Sequence, residues 1–206
     1  MKDLPVTVKH DTAFFERYAR ISLINIVDKR FEGLKNKDRP DLQDKKRSVG
    51  IEVTRAIREN KSVALALINE MAGNISQEDW LDMTKYGYAY GLYKDLVGKI
   101  EYTYWSTALP MKRILENKIN KVCGGFYGNF NEYGLYIFVK EELNDVFIKQ
   151  TIDYAIQLQK LEKEKYTKIY ISQISDLFVC DLGNASFEKF PVSEILRRKF
   201  YREAIL

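Results

Sequence analysis

Pro40-Asp-Leu-Gln-Asp-Lys-Lys-Arg-Ser-Val-Gly-Ile-Glu-Val-Thr54 is the stretch on which the reading of this chain turns. Two short runs, Asp41–Asp44 and Val49–Thr54, flank the polar Lys45-Lys46-Arg47-Ser48, the pattern of a β-hairpin. With the turn centred on Lys46 and Arg47, Asp44 faces Val49, Gln43 faces Gly50, Leu42 faces Ile51 and Asp41 faces Glu52. Side chains alternate across a strand, so Leu42, Val49, Ile51 and Val53 share one face, and Asp41, Gln43, Glu52 and Thr54 share the other. Two carboxylates directly opposite each other repel. A divalent cation offsets that repulsion, and carboxylate oxygens suit Mg²⁺ or Mn²⁺. A basic neighbour or a raised pKa also offsets it, and on a solvated surface ribbon the penalty is small.

Outward from the hairpin, the pattern predicts a helix from about Thr12 to Arg30, apolar on more than one side and hence buried on more than one side. A helical region follows from about Arg55 to Val122. Within it a first helix, Ile57 to Met71, stops at Gly73-Asn74, Ser76 to Asp79 reads as the start of another, and Pro110 opens a helix reaching Val122. A strand over Leu135–Val139, a helix over Leu143–Glu164, strands over Lys168–Ile171 and Leu177–Asp181, and a last helix after Pro191 and Ser193 complete the order. This predicts an α/β fold: one domain over residues 1–206 with a mixed central sheet of about five strands flanked by helices, and a helical insertion at about 55–122.

A chain of 206 residues with 46% hydrophobic and 30% charged residues supports one ordinary globular core. Cys123 and Cys180 make no disulfide framework, and His10, the only histidine, excludes a multi-histidine metal site. Met1 to Asp11 is mixed and polar, and there is no run of about 18 apolar residues, so the expectation is a cytoplasmic protein without a membrane partner. The net charge of +4 is too small to identify a partner by itself. Between Asp28 and Lys61, however, eleven basic residues stand against seven acids, an excess equal to that of the whole chain. This is either a solvated loop surface or a phosphate-facing one.

Pro40-Asp41 followed by Gly50-Ile-Glu-Val-Thr54 resembles the signature of the PD-(D/E)xK phosphodiesterases, the restriction-endonuclease-like superfamily. Those enzymes carry an aspartate entering one strand and Glu-x-Lys on the next, in a core ordered helix, three strands, helix, strand. The resemblance implies a restriction-endonuclease-like core and a metal-dependent nuclease acting on DNA. Asp41, Glu52 and the Val53 carbonyl would hold Mg²⁺ or Mn²⁺, with Glu16 on the first helix a further acid near the metal. It implies that Lys45, Lys46, Arg47 and Arg55 meet nucleic acid. The motif lysine falls at position 54, which is Thr54 here.

A substitute lysine is legible on the helix Met111–Val122. At 100° per residue, Met111, Ile114, Leu115, Ile119 and Val122 form one face, with Lys118 in its middle and Lys112 and Lys121 at its edges. A lysine centred on an apolar stripe either snorkels or meets an anion. Lys118 is the first candidate for the migrated lysine and Lys121 the second. Thr54 equally favours another class of function, a catalytically degenerate nuclease-like module that binds nucleic acid or a protein. A third reading is an unrelated α/β scaffold, in which Asp41 and Glu52 do not converge. It would act through the tyrosine-rich insertion, where Trp80, Trp105 and Tyr86, Tyr88, Tyr90, Tyr93, Tyr102 and Tyr104 offer base stacking, core packing or a protein interface.

Overall fold

In a computed structural model of the chain, residues 12–56, 108–139 and 143–205 are described. The hairpin forms in the register read from its alternation: Leu42 pairs with Ile51 and Gln43 with Gly50. Asp44 closes the turn, its Oδ1 accepting the Val49 N–H at 3.0 Å while its own carbonyl accepts from Arg47. Strand β1 is Lys35–Asn36, β2 is Leu42–Gln43 and β3 is Val49–Ala56. The remaining strands are β4, Glu132–Val139, β5, Tyr166–Ser172, β6, Asp176–Asp181, and β7, Ser186–Pro191. They form one seven-stranded mixed sheet in sequential order. β3, β4 and β5 run parallel, and every other neighbouring pair is antiparallel.

The sheet therefore exceeds the expected five strands by one at each edge. β1 is two exposed polar residues and carries no apolar alternation. β7 places Phe187 on one face and Phe190 on the other, amid exposed residues, so it has no period of two to read. It ends on Pro191, a residue suited to a sheet edge.

Helices α1 (Thr12–Ser22) and α4 (Glu194–Ile205) pack together on one side. There Phe14, Phe15, Tyr18, Phe200 and Tyr201 meet Leu42, Ile51, Tyr136 and Phe138 from the sheet. Helices α2 (Ala108–Cys123) and α3 (Asp145–Leu158) cover the other side, where Met111, Leu115, Ile119 and Ile152 meet Leu135, Ile137 and Ile169. Parallel strands covered on both faces read as continuous apolar runs, and β4 is buried along nearly its whole length.

Two helices stop sooner than their periodicity predicts. The first does not continue as one α-helix to Arg30: it becomes a π-helical turn, Leu23–Val27, and breaks at Asp28. Asp28 is extended, and its carboxylate accepts the Arg30 N–H at 2.8 Å to start a short 3₁₀ turn, Lys29–Gly33. α3 starts at an Asn144 N-cap, whose Oδ1 accepts from Phe147, and ends before Gln159 rather than at Glu164. The Gln159 amide turns inward instead: Nε2 donates to the Tyr166 carbonyl at 2.7 Å and Oε1 accepts the Tyr166 N–H at 3.0 Å. The expected helix Ile57–Met71 and the tryptophans and tyrosines of the insertion lie outside the described residues. Among those described, no helix is long and apolar enough to cross a membrane.

Candidate metal centre

Glu52 lies in the middle of β3, on the face that looks toward α2, and is only 7% exposed. A buried carboxylate requires a partner. α2 provides it: Lys118 extends between Leu115 and Ile119 and places Nζ 2.5 Å from Glu52 Oε1. Thr54, at the motif lysine position, is half-buried on the same face of β3. Lys121, one turn further along α2, is exposed and lies over the Phe126 ring at 5.1 Å. Of the two candidate lysines, Lys118 is the one that reaches the acid.

Asp41 enters β2 half-buried, and its Oδ2 accepts the Val53 N–H at 2.7 Å. Burial pushes its pKa up to about 7, and the negative charges of Glu52 and Glu16 add to the rise. The Val53 N–H and Lys118 oppose it. The Asp41 and Glu52 charges thus act on each other. Two of the offsets open at the level of sequence are present together, a basic neighbour on Glu52 and a raised pKa on Asp41. Glu16 accepts from Asn36 Nδ2 at 2.8 Å and reaches Asp41 through its field.

Two phenols complete the wall. Tyr127 and Tyr166 are buried with their hydroxyls directed at each other, and that of Tyr127 also at Glu52, in contacts looser than an ideal hydrogen bond. The Tyr127 pKa is raised by burial and then by the nearby Glu52 charge, and that of Tyr166 by burial and by Tyr127. Tyr127 lies in the loop after α2, shaped by left-handed Gly125 and Gly128 and by the Tyr133 hydroxyl, which donates to the Gly128 carbonyl and accepts the Phe130 N–H. These tyrosines were not singled out from sequence. For Tyr127 the glycine-flanked run Gly124-Gly-Phe-Tyr-Gly128 was the available signal, since such a loop turns the chain sharply between α2 and the strand β4 that it precedes.

Among the described residues no group of three or more His, Cys, Asp or Glu side chains gathers at one point. The donor set is two hard carboxylates, one of them already paired with Lys118, and a neighbouring backbone, while the Tyr127 hydroxyl is turned toward Glu52 and Tyr166. That chemistry fits a small oxygen-seeking cation that keeps part of its water shell, which is the habit of Mg²⁺.

The basic residues of the hairpin divide into two groups. Lys45, Lys46 and Arg47 are exposed at the turn, and Arg47 lies 5.7 Å from the centroid of the Phe130 ring. Arg55 is on the opposite face of β3 from Glu52, with its guanidinium 4.7 Å from the Phe15 ring centroid. A cavity of about 700 Å³ opens where β4 and β5 begin, lined by Arg30, Glu132, Lys160, Lys165, Lys168 and Asp181 among others. It includes neither Asp41 nor Glu52, and two of its cations are bound by acids, Arg30 by Glu132 and Lys168 by Asp181. No protein-family model matches the chain, and no curated protein and no solved structure matches it either.

Proposed function

We propose that the chain is a metal-dependent phosphodiesterase of the restriction-endonuclease-like class that hydrolyses the DNA backbone. The observation that carries this reading is the Lys118–Glu52 contact, which brings an ammonium from α2 to the acid whose motif lysine is replaced by Thr54. The order of the described elements supports it with a different assignment from the one expected: α1, then β1, β2 and β3, then, after residues 57–107, α2 and β4 follow the helix, three-strand, helix, strand scheme. β1 is then the first strand, and the end of the expected insertion takes the place of the second helix. Asp41 and Glu52, with the Val53 carbonyl, are the groups that would hold Mg²⁺ or Mn²⁺. The metal supplies Lewis-acid stabilisation of charge on the scissile phosphate.

The remaining roles belong to side chains. Lys118 holds Glu52 in one rotamer and presents a positive charge where a water nucleophile would lose its proton. Asp41 must shed the proton that its pKa of about 7 lets it keep near neutrality. Lys45, Lys46 and Arg47 attract the phosphate backbone. The test is cleavage of plasmid and oligonucleotide DNA with Mg²⁺ or Mn²⁺ by wild type, D41A, E52A and K118M. Loss of cleavage in all three variants, with folding intact, supports the reading, and cleavage that persists in D41A and E52A removes it.

A second reading, a nuclease-like module that binds nucleic acid or a protein without cutting, is favoured by the same contact. An ammonium 2.5 Å from Glu52 already neutralises the acid and leaves it less need of a cation. Metal-free binding with no metal-dependent cleavage and no metal-dependent stabilisation distinguishes this module from the enzyme.

A further inference from the structure

The surface beside the carboxylates carries an arrangement that the metal centre does not use. Phe126 is 46% exposed, a large ring left in solvent. Two cations from separate elements lie against it, Arg39 at 4.9 Å from the ring centroid and Lys121 at 5.1 Å. Arg39 also meets its neighbour Asp38, Nε to Oδ2 3.6 Å, in an exposed pair that is worth little in water. The neighbouring Phe130 receives Arg47 in the same way. Arg39 and Arg47 are both non-glycine residues in the left-handed region, with φ of 60° and 54°. That conformation is uncommon for arginine and persists where surrounding structure holds it. Here it turns two successive basic loops toward two aromatic rings of one facing loop.

The loops are fastened together. The Asn131 and Glu132 N–H groups donate to the Arg47 and Ser48 carbonyls at 3.3 and 2.9 Å. Gly50 brings Pro40 and Phe130 so close that a Cβ there would lie 2.8 and 3.0 Å from their ring carbons. Arg39 is two residues before Asp41, and Lys121 is one helical turn after Lys118, so the ring and its cations border the carboxylate centre. An exposed cation–π contact is weak and is readily exchanged for base–aromatic stacking, which is stronger. The displaced cations then meet the phosphates on either side of the stacked base.

We propose that this surface binds single-stranded nucleic acid, with an unpaired base stacked on Phe126 and its flanking phosphates held by Arg39, Lys121 and the Lys45–Arg47 turn. The inference rests on the phosphodiesterase reading only for the placement of a scissile phosphate beyond that base, and the binding itself needs no metal. A base inside a duplex has both faces covered and cannot use Phe126, so the site selects unpaired or frayed strands.

The test is fluorescence anisotropy in EDTA with a labelled oligo-dT of about 12 nucleotides, an abasic phosphodiester of the same length, and a blunt duplex. Wild type should bind oligo-dT roughly tenfold more tightly than the abasic strand, F126A should lose that advantage, and F126W should keep it. Phe126 is exposed enough for the alanine variant to fold, which a thermal melt verifies. Equal binding of oligo-dT by F126A and wild type overturns the proposal, as does equal affinity for the abasic strand. Displacement of the oligonucleotide by a glutamate-rich peptide at the same concentration as by unlabelled oligo-dT also overturns it, because the surface would then recognise charge alone. Phe126-dependent binding without cleavage removes the phosphodiesterase reading and leaves this site standing. Metal-dependent cleavage together with oligo-dT binding that is indifferent to Phe126 does the reverse.

Discussion

Lys118 and Glu52 lie 66 residues apart in sequence and meet with 2.5 Å between Nζ and Oε1, a helix ammonium on a buried strand carboxylate. The contact is shielded: the two side chains are 18% and 9% exposed. Removing one partner of a buried ion pair leaves an uncompensated charge, whereas removing both does not. K118M should therefore lower stability by about 3 kcal/mol, and the double variant K118M/E52Q should recover most of it. Urea denaturation measures both.

The Asp41 carboxyl makes a signed prediction about pH. Burial raises its folded-state pKa to about 7, above the unfolded value, so the folded chain holds a proton that the unfolded chain releases between about pH 4 and 7. Stability should fall as pH rises through that window, by a contribution on the order of 4 kcal/mol, and level off above pH 7. D41N mimics the neutral acid and keeps an acceptor for the Val53 N–H. It should match wild type near pH 4 and be the more stable protein at pH 8. Equal pH profiles for the two proteins would contradict the assignment.

Gly50 offers a mechanical test of how the hairpin positions the centre. A methyl group there meets Pro40 Cγ at 2.8 Å and Phe130 at 3.0 Å, neither of which is the tip of a flexible side chain. G50A should cost about 1–3 kcal/mol by overpacking. Pro40 is the residue before Asp41, so the same substitution should weaken any metal-dependent stabilisation more than a comparably destabilising change such as Leu177→Ala on β6, three strands from β3 in the sheet. Thermal melts with and without Mn²⁺ separate the two effects.

Much of this arrangement was legible in the sequence because it follows from periodicity. The hairpin register came from alternation around Lys45–Ser48, and it places Leu42 and Ile51 in one core and Glu52 toward the other. Lys118 was legible as a candidate because a lysine centred on the apolar stripe Met111–Val122 either snorkels or meets an anion, and the structure shows the anion. The edge strands were not legible: β1 is short and exposed, and β7 presents one ring to each face. The early end of α1 was hidden by apolar residues that continue past it, since the break at Asp28 is made by a side chain competing for backbone. The Arg39–Phe126 and Arg47–Phe130 contacts depend on left-handed arginines and on loops distant in sequence, neither of which periodicity reports.

The central claim, that Asp41 and Glu52 form a cation site, is tested most directly by a thermal-unfolding titration of the whole chain with Mn²⁺ at pH 6 and pH 8. A ligand that binds only the folded state raises its stability by RT ln(1 + L/Kd), where L is the free ligand concentration. Binding must displace the Asp41 proton, so the account predicts a clear rise in Tm at millimolar Mn²⁺ that is larger at pH 8 than at pH 6 and disappears in D41N and E52Q. An unchanged Tm at both pH values, or a rise that survives both substitutions, would contradict it.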